Sequence, residues 1–248
     1  MDELLLKKRI SELRKRAEFS YRTEFTDFLS LSEIETAKTV LAGSNYMFYG
    51  GHEDTERQML CIAPSEIDIT PDMFPICGIR ILPKYMKFAG DFSHRDVLGS
   101  VLGLGLDRDV IGDIFVKEKE AYLLCAERIA GFLTEQLMQI RHTNVVCEIA
   151  NSEDASAFSK EFQTISRTVS AVRIDSVTAA AFGVSRSNAA TAISGGKVFI
   201  NGREITSPSA SVKEQDVISF RGFGKARLKE IGSLTKKGRI SVTLERYQ

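Results

Sequence analysis

The residues best suited to chemistry are cations and small polar side chains gathered between positions 173 and 203. Ser185-Arg186-Ser187 stands where a short helix is predicted to begin, and Lys197 follows the glycine pair that ends it. The N–H groups of a helix N-terminus are free to bind an anion, and the side chains of Arg186 and Ser187 lie beside them. Lys197 and Arg203 then flank a tight Asn201-Gly202 turn and are placed to hold the same backbone. This pattern predicts a phosphate-binding surface, for which nucleic acid is the commonest large ligand.

The distribution of charge supports this interpretation, although the chain as a whole has no net charge. Residues 160–248 contain 15 Lys and Arg against 7 Asp and Glu, whereas residues 1–159 contain 18 against 26. A small basic segment therefore follows a longer acidic one. We expect the basic segment to be the part that binds an anion.

Two short helices must position the first of these cations. Asp175 or Ser176 is expected to cap the first helix, which Gly183 ends, and Ser185 is expected to cap the second. The N-terminus of the second helix then faces the ligand.

Strands must position the remaining cations. They are predicted at 198–200, at 216–220 and at 225–229, and a basic turn at 236–239 leads into a closing strand at 240–247. In the 225–229 strand, alternation places three cations on one face and the two residues between them in the core.

The predicted RNA-binding residues are the cations of this segment, the serines at the second helix and the turn asparagine: Arg173, Ser185, Arg186, Ser187, Lys197, Asn201, Arg203, Arg221, Lys225, Arg227 and Lys229. A set of cations without clustered aromatics reads backbone shape and phosphate better than base sequence.

The rest of the chain is predicted to form two more small domains, which makes an α+β protein of three domains. Residues 1–72 are expected to form a helical or α+β N-terminal domain, 73–153 a middle domain and 160–248 the basic domain. The middle domain has the order β-α-β-β-α-β of the ferredoxin-like fold, with its second helix predicted at 127–140. Residues 151–159 are the predicted linker. The ferredoxin-like order occurs in many RNA-binding domains and also in unrelated enzymes.

Catalytic, cofactor-binding and metal-binding motifs are mostly missing from the sequence. The run Gly222-Phe223-Gly224-Lys225 lacks two parts of a phosphate-binding P-loop, because Ser219 and Ala226 stand where a glycine and a hydroxyl are required. The three histidines lie far apart, and the four cysteines lie in apolar contexts that favour buried, reduced thiols. We therefore expect no cofactor, no metal and no small-molecule substrate.

The cellular location follows from similar arguments. No apolar run approaches the roughly 20 residues that span a bilayer, and the first residues do not have the pattern of a signal peptide. We expect a cytoplasmic protein that does not contact the membrane and that is a monomer.

The basic segment resembles the αL RNA-binding module, which is named after ribosomal protein S-four. The resemblance is carried by Arg173-Ile174-Asp175, by Ser185-Arg186-Ser187, by the run from Ile193 to Arg203 and by Asp216-Val217-Ile218. The departures are one extra glycine and Arg203 in place of the usual lysine, which keeps the charge.

The whole chain resembles the YlmH family of bacterial RNA-binding proteins. That resemblance implies an N-terminal helical region, a ferredoxin-like middle domain and a final αL module. It also implies a non-enzymatic factor that binds the large ribosomal subunit and contacts ribosomal RNA and tRNA during rescue of stalled chains. The family carries an older association with cell division. The residues that carry the resemblance outside the αL module are Phe25-Thr26-Asp27-Phe28-Leu29, Tyr49-Gly50-Gly51, His94-Arg95-Asp96-Val97-Leu98-Gly99, Leu102-Gly103-Leu104-Gly105 and Ile111-Gly112-Asp113-Ile114.

Two other functions stay open at the level of sequence. The first is an RNA-modifying enzyme of the pseudouridine synthase or methyltransferase type, since αL modules often accompany such enzymes. It requires a catalytic aspartate in a synthase core or a glycine-rich cofactor loop, and neither is visible. The second is an adaptor protein in cell division whose partners are proteins.

Overall fold

The computed structural model describes residues 2–52, 55–150 and 162–247. These residues belong to two compact units, one within positions 1–159 and one within positions 160–248. The change in charge near position 160 therefore coincides with the boundary between the units. The linker predicted at 151–159 lies outside the described residues. None of the described helices is long and apolar enough to cross a membrane.

Two helices and a small sheet build the N-terminal part of the first unit. Helix α1 (Glu3–Ser20) buries four apolar side chains that recur every three or four residues and so lie on one side: Leu6, Ile10, Leu13 and Ala17. Helix α2 (Leu31–Lys38) begins after Ser30, which forms a capping box with Glu33. The antiparallel sheet has the order β1-β3-β2, formed by β1 (Glu24–Phe25), β2 (Asn45–Tyr49) and β3 (Met59–Ala63).

The middle part of the first unit has the predicted ferredoxin-like order. Its elements are β4 (Ile76–Pro83), α3 (His94–Leu102), β5 (Ile111–Lys117), β6 (Glu120–Ala126), α4 (Ala130–Gln136), β7 (Gln139–Ile140) and β8 (Thr143–Ile149). The sheet order is β5-β6-β4-β8-β7, and all of these strand pairs are antiparallel. The two central strands, β4 and β6, are therefore the first and third strands of the β-α-β-β-α-β unit.

The second helix of this domain is shorter than the predicted span of 127–140. Helix α4 ends at Gln136, and β7 then pairs with the beginning of β8. A short 3₁₀ turn over Glu127–Ile129 precedes the helix. Ile140, which the helical pattern includes, is fully buried in β7 instead. A strand at that position faces the same core, so the apolar pattern alone does not distinguish the two structures.

Residues on both sides of position 72 contribute to one hydrophobic core. Phe28 and Met59 from the N-terminal part belong to the same buried cluster as Ile79 and Leu123 from the sheet of the middle part. The division of the first unit at positions 72 and 73 therefore stays a prediction, because side-chain packing is continuous across it.

A largely buried arginine adds polar contacts across the same boundary. The guanidinium of Arg57 donates to the carbonyl oxygens of Phe28 at 2.8 Å, Ile111 at 2.9 Å and Arg108 at 3.2 Å. The backbone N–H of Arg57 donates to the Asp113 carboxylate at 3.0 Å. Burial lowers the pKa of Arg57 below its ordinary value, and the charges of Glu33 and Asp113 partly offset this.

The second unit packs two helices against one face of a six-stranded antiparallel sheet. The helices are α5 (Ile174–Phe182) and α6 (Arg186–Ser194), and Gly183, with a φ of 69°, ends α5 as predicted. The strands are β9 (Phe162–Val169), β10 (Val198–Ile200), β11 (Arg203–Glu204), β12 (Val217–Phe220), β13 (Gly224–Leu234) and β14 (Ile240–Tyr247). Their order in the sheet is β11-β10-β12-β13-β14-β9.

Strand β9 is an element that the sequence pattern does not predict. It pairs along its whole length with β14, from Val169 opposite Ile240 to Phe162 opposite Tyr247. The start of the second unit is thereby joined to its end, and β9 lies beside α5 at one side of the sheet.

Candidate nucleic-acid interface

A buried carboxylate organises the beginnings of the two helices in the second unit. The side chain of Asp175 is only 6% exposed, and its Oδ2 atom accepts from Nε of Arg186 at 2.9 Å. The same oxygen lies 3.4 Å from Nη2 of Arg173. Its Oδ1 atom accepts from the backbone N–H of Ser176 at 2.8 Å. The prediction that Asp175 or Ser176 caps α5 is wrong, because Arg173 occupies the N-cap.

The two arginines around this carboxylate carry an excess of positive charge. Their side chains are 40% exposed for Arg173 and 50% exposed for Arg186, while one carboxylate lies between two guanidinium groups. A guanidinium presents five N–H donors in a fixed fork that matches the geometry of phosphate. The arrangement therefore fixes the position of two cations without neutralising both.

The N-terminus of α6 has the predicted cap. The hydroxyl of Ser185 accepts from the backbone N–H of Asn188 at 3.1 Å, and it lies 3.0 Å from the hydroxyl of Ser187. Both serines are exposed, as is Arg186 between them. We refer to Arg173, Ser185, Arg186 and Ser187 as the αL surface.

A second group of cations lies beyond the other end of α6. The backbone N–H of Arg221 donates to the carbonyl of Lys197 at 2.9 Å, and its guanidinium lies 4.8 Å from the centre of the Phe199 ring. Helix α6 has nine residues, so about 13 Å of helix separates Lys197 from Arg186. We therefore expect these two cations to contact different nucleotides.

The hairpin between β10 and β11 has the predicted tight turn. Asn201 and Gly202 have φ values of 49° and 76°, which a type I′ turn requires. The Asn201 amide donates to Asp216 at 2.8 Å and accepts from the backbone N–H of Val217 at 2.8 Å. Asn201 therefore positions the hairpin through both of its polar atoms, and its contact with RNA stays a prediction. Arg203 lies directly after the turn, at the opposite end of the hairpin from Lys197.

The cations of β13 lie on the sheet face opposite the helices. As predicted, the two residues between Lys225, Arg227 and Lys229 are fully buried in the core. Arg227 and Lys229 both bind the buried carboxylate of Glu245, with N–O distances of 2.6 Å. Burial alone would raise the pKa of Glu245, but the hydrogen bonds from Lys229 and Arg227 outweigh it and lower the pKa. The predicted binding residues are therefore divided between two faces of the sheet.

Two arginines outside the predicted set lie near the αL surface. Arg167 belongs to β9 and Arg239 to the turn before β14, and both line a cleft that Arg186 also lines. The sequence contains no motif that links them, because the pairing of β9 with β14 brings together residues about 70 positions apart.

The sheet of the middle domain does not present the aromatic platform of an RNA-recognition motif. Phe115 and Tyr122 are opposite one another on β5 and β6, with ring centres 6.3 Å apart. Each is less than 10% exposed, and the ring of His52 lies edge-on to Phe115 at 6.1 Å. Because an RNA-recognition motif stacks bases on exposed rings, this pair cannot serve that purpose.

The described residues also lack a cluster for metal chemistry. Within positions 2–52, 55–150 and 162–247, no three His, Cys, Asp or Glu side chains are grouped to hold a metal ion. The four cysteines are free; Cys61, Cys125 and Cys147 are buried as predicted, whereas Cys77 is only partly buried. Burial raises the pKa of Cys61 to about 11 and that of Cys125 and Cys147 to about 12, which keeps these thiols protonated.

Two domain families match the chain. Residues 76–154 match the family described as "Putative RNA-binding domain in YlmH", and residues 172–218 match the S4 domain. The second match ends before β13, so β9, β13 and β14 lie outside it.

A curated relative and a solved structure resemble longer parts of the chain. Over 239 residues the chain is 31% identical to the ribosome-associated protein quality control protein P2 of Bacillus subtilis (strain 168). That alignment covers 96% of this chain and 92% of the relative. The fold is similar to that of the cell division protein ylmH from Streptococcus pneumoniae, with a TM-score of 0.52 and 21% identity. This similarity covers 62% of the chain and 94% of the solved structure.

Proposed function

The chain belongs to the YlmH family, and from this premise we propose that it is a non-enzymatic RNA-binding protein that acts on the ribosome. The observation that carries the proposal is the αL surface. Two partly exposed guanidinium groups are held there by one buried carboxylate, beside the free N–H groups of a capped helix.

The finer parts of the proposal concern the RNA and the process. We propose contacts with large-subunit ribosomal RNA and with tRNA during the rescue of stalled nascent chains. The support is the name of the Bacillus relative, which describes a ribosome-associated quality control protein. Because such a protein works where ribosomes are, we propose that it is cytoplasmic. We also propose that it is a monomer and that it has no membrane partner.

Recognition at the αL surface is proposed to depend on phosphate and shape. Its polar groups are guanidinium groups, hydroxyls and backbone N–H groups, which suit the sugar–phosphate backbone better than base edges. Lys197, Arg203 and Arg221 would contact the same strand beyond α6, while Lys225, Arg227 and Lys229 would contribute mainly to the general electrostatic field.

Filter binding to bulk tRNA and to purified ribosomal RNA over a series of salt concentrations tests this proposal. Arg186→Ala and Lys197→Ala are each expected to weaken binding about tenfold and to reduce the salt slope by about 1. Asp175 keeps Arg173 and Ser176 as partners in the first variant, so the fold should persist. Lys236→Ala, which removes an exposed cation from a turn, is the matched control and should change the affinity less than twofold. Unchanged binding in both test variants contradicts the proposed surface.

Two further measurements separate the alternative functions. Incubation with ribosomal RNA and S-adenosylmethionine, followed by mass spectrometry of nucleotides, should reveal no new methylation or pseudouridine. Capture of ribosomal proteins from a bacterial lysate should be lost after treatment with RNase. A modified nucleotide would indicate an enzyme, and protein partners that survive RNase would indicate a cell-division adaptor.

A further inference from the structure

We propose that the cleft between β9 and α5 is a second phosphate-binding site, which takes one phosphodiester unit of an RNA strand that continues from the αL surface. This inference rests on the proposed function and extends it to residues outside the matched S4 segment. Arg167 and Arg239 are its central residues.

Three elements each contribute an arginine to the cleft. Arg167 comes from β9, Arg186 is the first residue of α6, and Arg239 immediately precedes β14. The cleft has a volume of about 360 Å³, within the range of small-ligand sites. A ribose with its phosphate fits a space of this size, whereas a base-paired helix does not.

Small side chains on α5 leave the space open. The helix lines the cleft with Ser176, Ala179, Ala180 and Gly183, a spacing that places them on one side of the helix. Thr168 and Ser170 line it at the end of β9 and add hydroxyl groups. The walls therefore combine cations with short polar groups, as a site for a sugar phosphate requires.

The charge in the cleft is not balanced by the protein. Arg239 is held in place by Thr168, to which it donates from Nε at 3.0 Å and from Nη2 at 2.6 Å. Arg167 donates to the carbonyl of Ser166 at 3.0 Å. Among the described residues, no carboxylate lies within ion-pair distance of either arginine. Of the three arginines that line the cleft, Arg186 contacts the carboxylate of Asp175, which it shares with Arg173. Three guanidinium groups therefore line a concave site in which a single carboxylate, shared with Arg173, contacts one of them, and the remaining positive charge favours an anion there.

Arg186 connects this cleft to the αL surface, because it belongs to both. A strand bound at the N-terminus of α6 can therefore pass Arg186 and place its next phosphate between Arg167 and Arg239. This continuity favours an RNA backbone over a free nucleotide, since one guanidinium then contacts neighbouring phosphates of a single chain.

The test compares two double variants of the full chain that remove the same charge. Arg167→Gln with Arg239→Gln removes two cations from the cleft, whereas Lys236→Gln with Lys237→Gln removes two exposed cations from the adjacent turn. In filter binding to bulk tRNA, the cleft variant is expected to bind about tenfold more weakly, with a salt slope lower by about 1. The turn variant should lose less than twofold. Arg167→Gln alone keeps the contacts of Arg239 with Thr168, and it should lose about threefold in affinity without a change in thermal stability.

The possible outcomes are distinct. Equal losses of affinity for tRNA in both double variants would indicate a long-range electrostatic field and would overturn the proposed phosphate site in the cleft. Wild-type affinity in the cleft variant, with a loss in Arg186→Ala, would also overturn it and leave the proposed function intact. If wild-type protein does not bind tRNA or ribosomal RNA at all, the proposed function fails and this inference fails with it. If the cleft variant loses binding to labelled AMP but keeps its affinity for tRNA, the site holds a free nucleotide and not a strand.

Discussion

Arg57 and Arg108 in the first unit donate to backbone carbonyl groups, whereas Arg173 and Arg186 in the second unit share a carboxylate near the surface. Arg57 directs its guanidinium to three carbonyl oxygens, and Arg108 contacts those of Ile111 and Gly112. Burial lowers the pKa of Arg108 to about 10, with a smaller effect from the charge of Arg57.

The difference shows that the donors already used inside the protein decide what an arginine can bind. A guanidinium has five N–H groups, and Arg57 uses its donors to join segments of one core. Arg186 contacts Asp175 and Ser170 and keeps half of its side chain exposed. We therefore expect Arg57 and Arg108 to govern the stability of the fold, and Arg173 and Arg186 to govern RNA binding.

The largest expected effect comes from removing the buried guanidinium of Arg57. Arg57→Ala removes the guanidinium that donates to the carbonyl oxygens of Phe28 and Arg108, and it leaves the carbonyl of Ile111 with Arg108 as its charged donor. The variant should lower the free energy of unfolding by about 3 kcal/mol. Urea denaturation measures this. Arg95→Ala, which removes an exposed arginine of the same unit, is the control and should cost less than about 0.5 kcal/mol. If Arg57→Ala also costs less than about 0.5 kcal/mol, the contrast between the buried and the exposed arginines is removed.

Removing the shared carboxylate sharpens the comparison in the second unit. Asp175→Asn makes the protein more positive but releases both guanidinium groups of the αL surface. We expect the free energy of unfolding to fall by about 2 kcal/mol and the affinity for tRNA to fall about fivefold. Tighter binding in the variant would show that net charge, and not the position of the arginines, controls recognition.

The pair around Glu245 gives a prediction about pH. Its pKa is lowered in the folded protein, so its contribution to stability is present above the ordinary pKa of glutamate, about 4.3, and is lost as the pH falls through the folded pKa. Thermal unfolding between pH 7 and pH 3 should therefore show a loss at the acidic end that is smaller in Glu245→Gln. The affinity for tRNA at pH 7 should change less than threefold in this variant, since Arg227 and Lys229 face away from the αL surface. A larger change would assign the β13 face to the binding site.

The smallest expected effect concerns Phe199 beneath Arg221. Phe199→Leu keeps an apolar side chain but removes the ring that lies 4.8 Å from the guanidinium. The affinity for tRNA should fall about twofold, because an exposed cation–π contact contributes about 0.5 to 1 kcal/mol. Phe199→Tyr retains the ring and should bind like the wild type. Equal losses in the two variants would show that the ring does not position Arg221.

Local patterns predicted much of the αL module. The Ser185 cap, the end of α5 at Gly183 and the Asn201-Gly202 turn depend on residues within a few positions of one another, and all three are confirmed. The cap of α5 was misplaced, since the pattern does not show that Asp175 accepts from Arg186, 11 positions away. The span of α4 failed for a related reason, because Ile140 is buried in either a helix or a strand.

Sequence alone determined the two-part charge distribution, the ferredoxin-like order and the short-range features of the αL module, because these depend on composition and on contacts between near neighbours. Only the tertiary structure decided which cations can act together. The pairing of β9 with β14 brings Arg167 and Arg239 to the cleft that Arg186 lines. On the other face of the sheet, Glu245 forms ion pairs with Arg227 and Lys229. The physical reason is that strand pairing over long separations places side chains by register and face, which the local spacing of residues does not record.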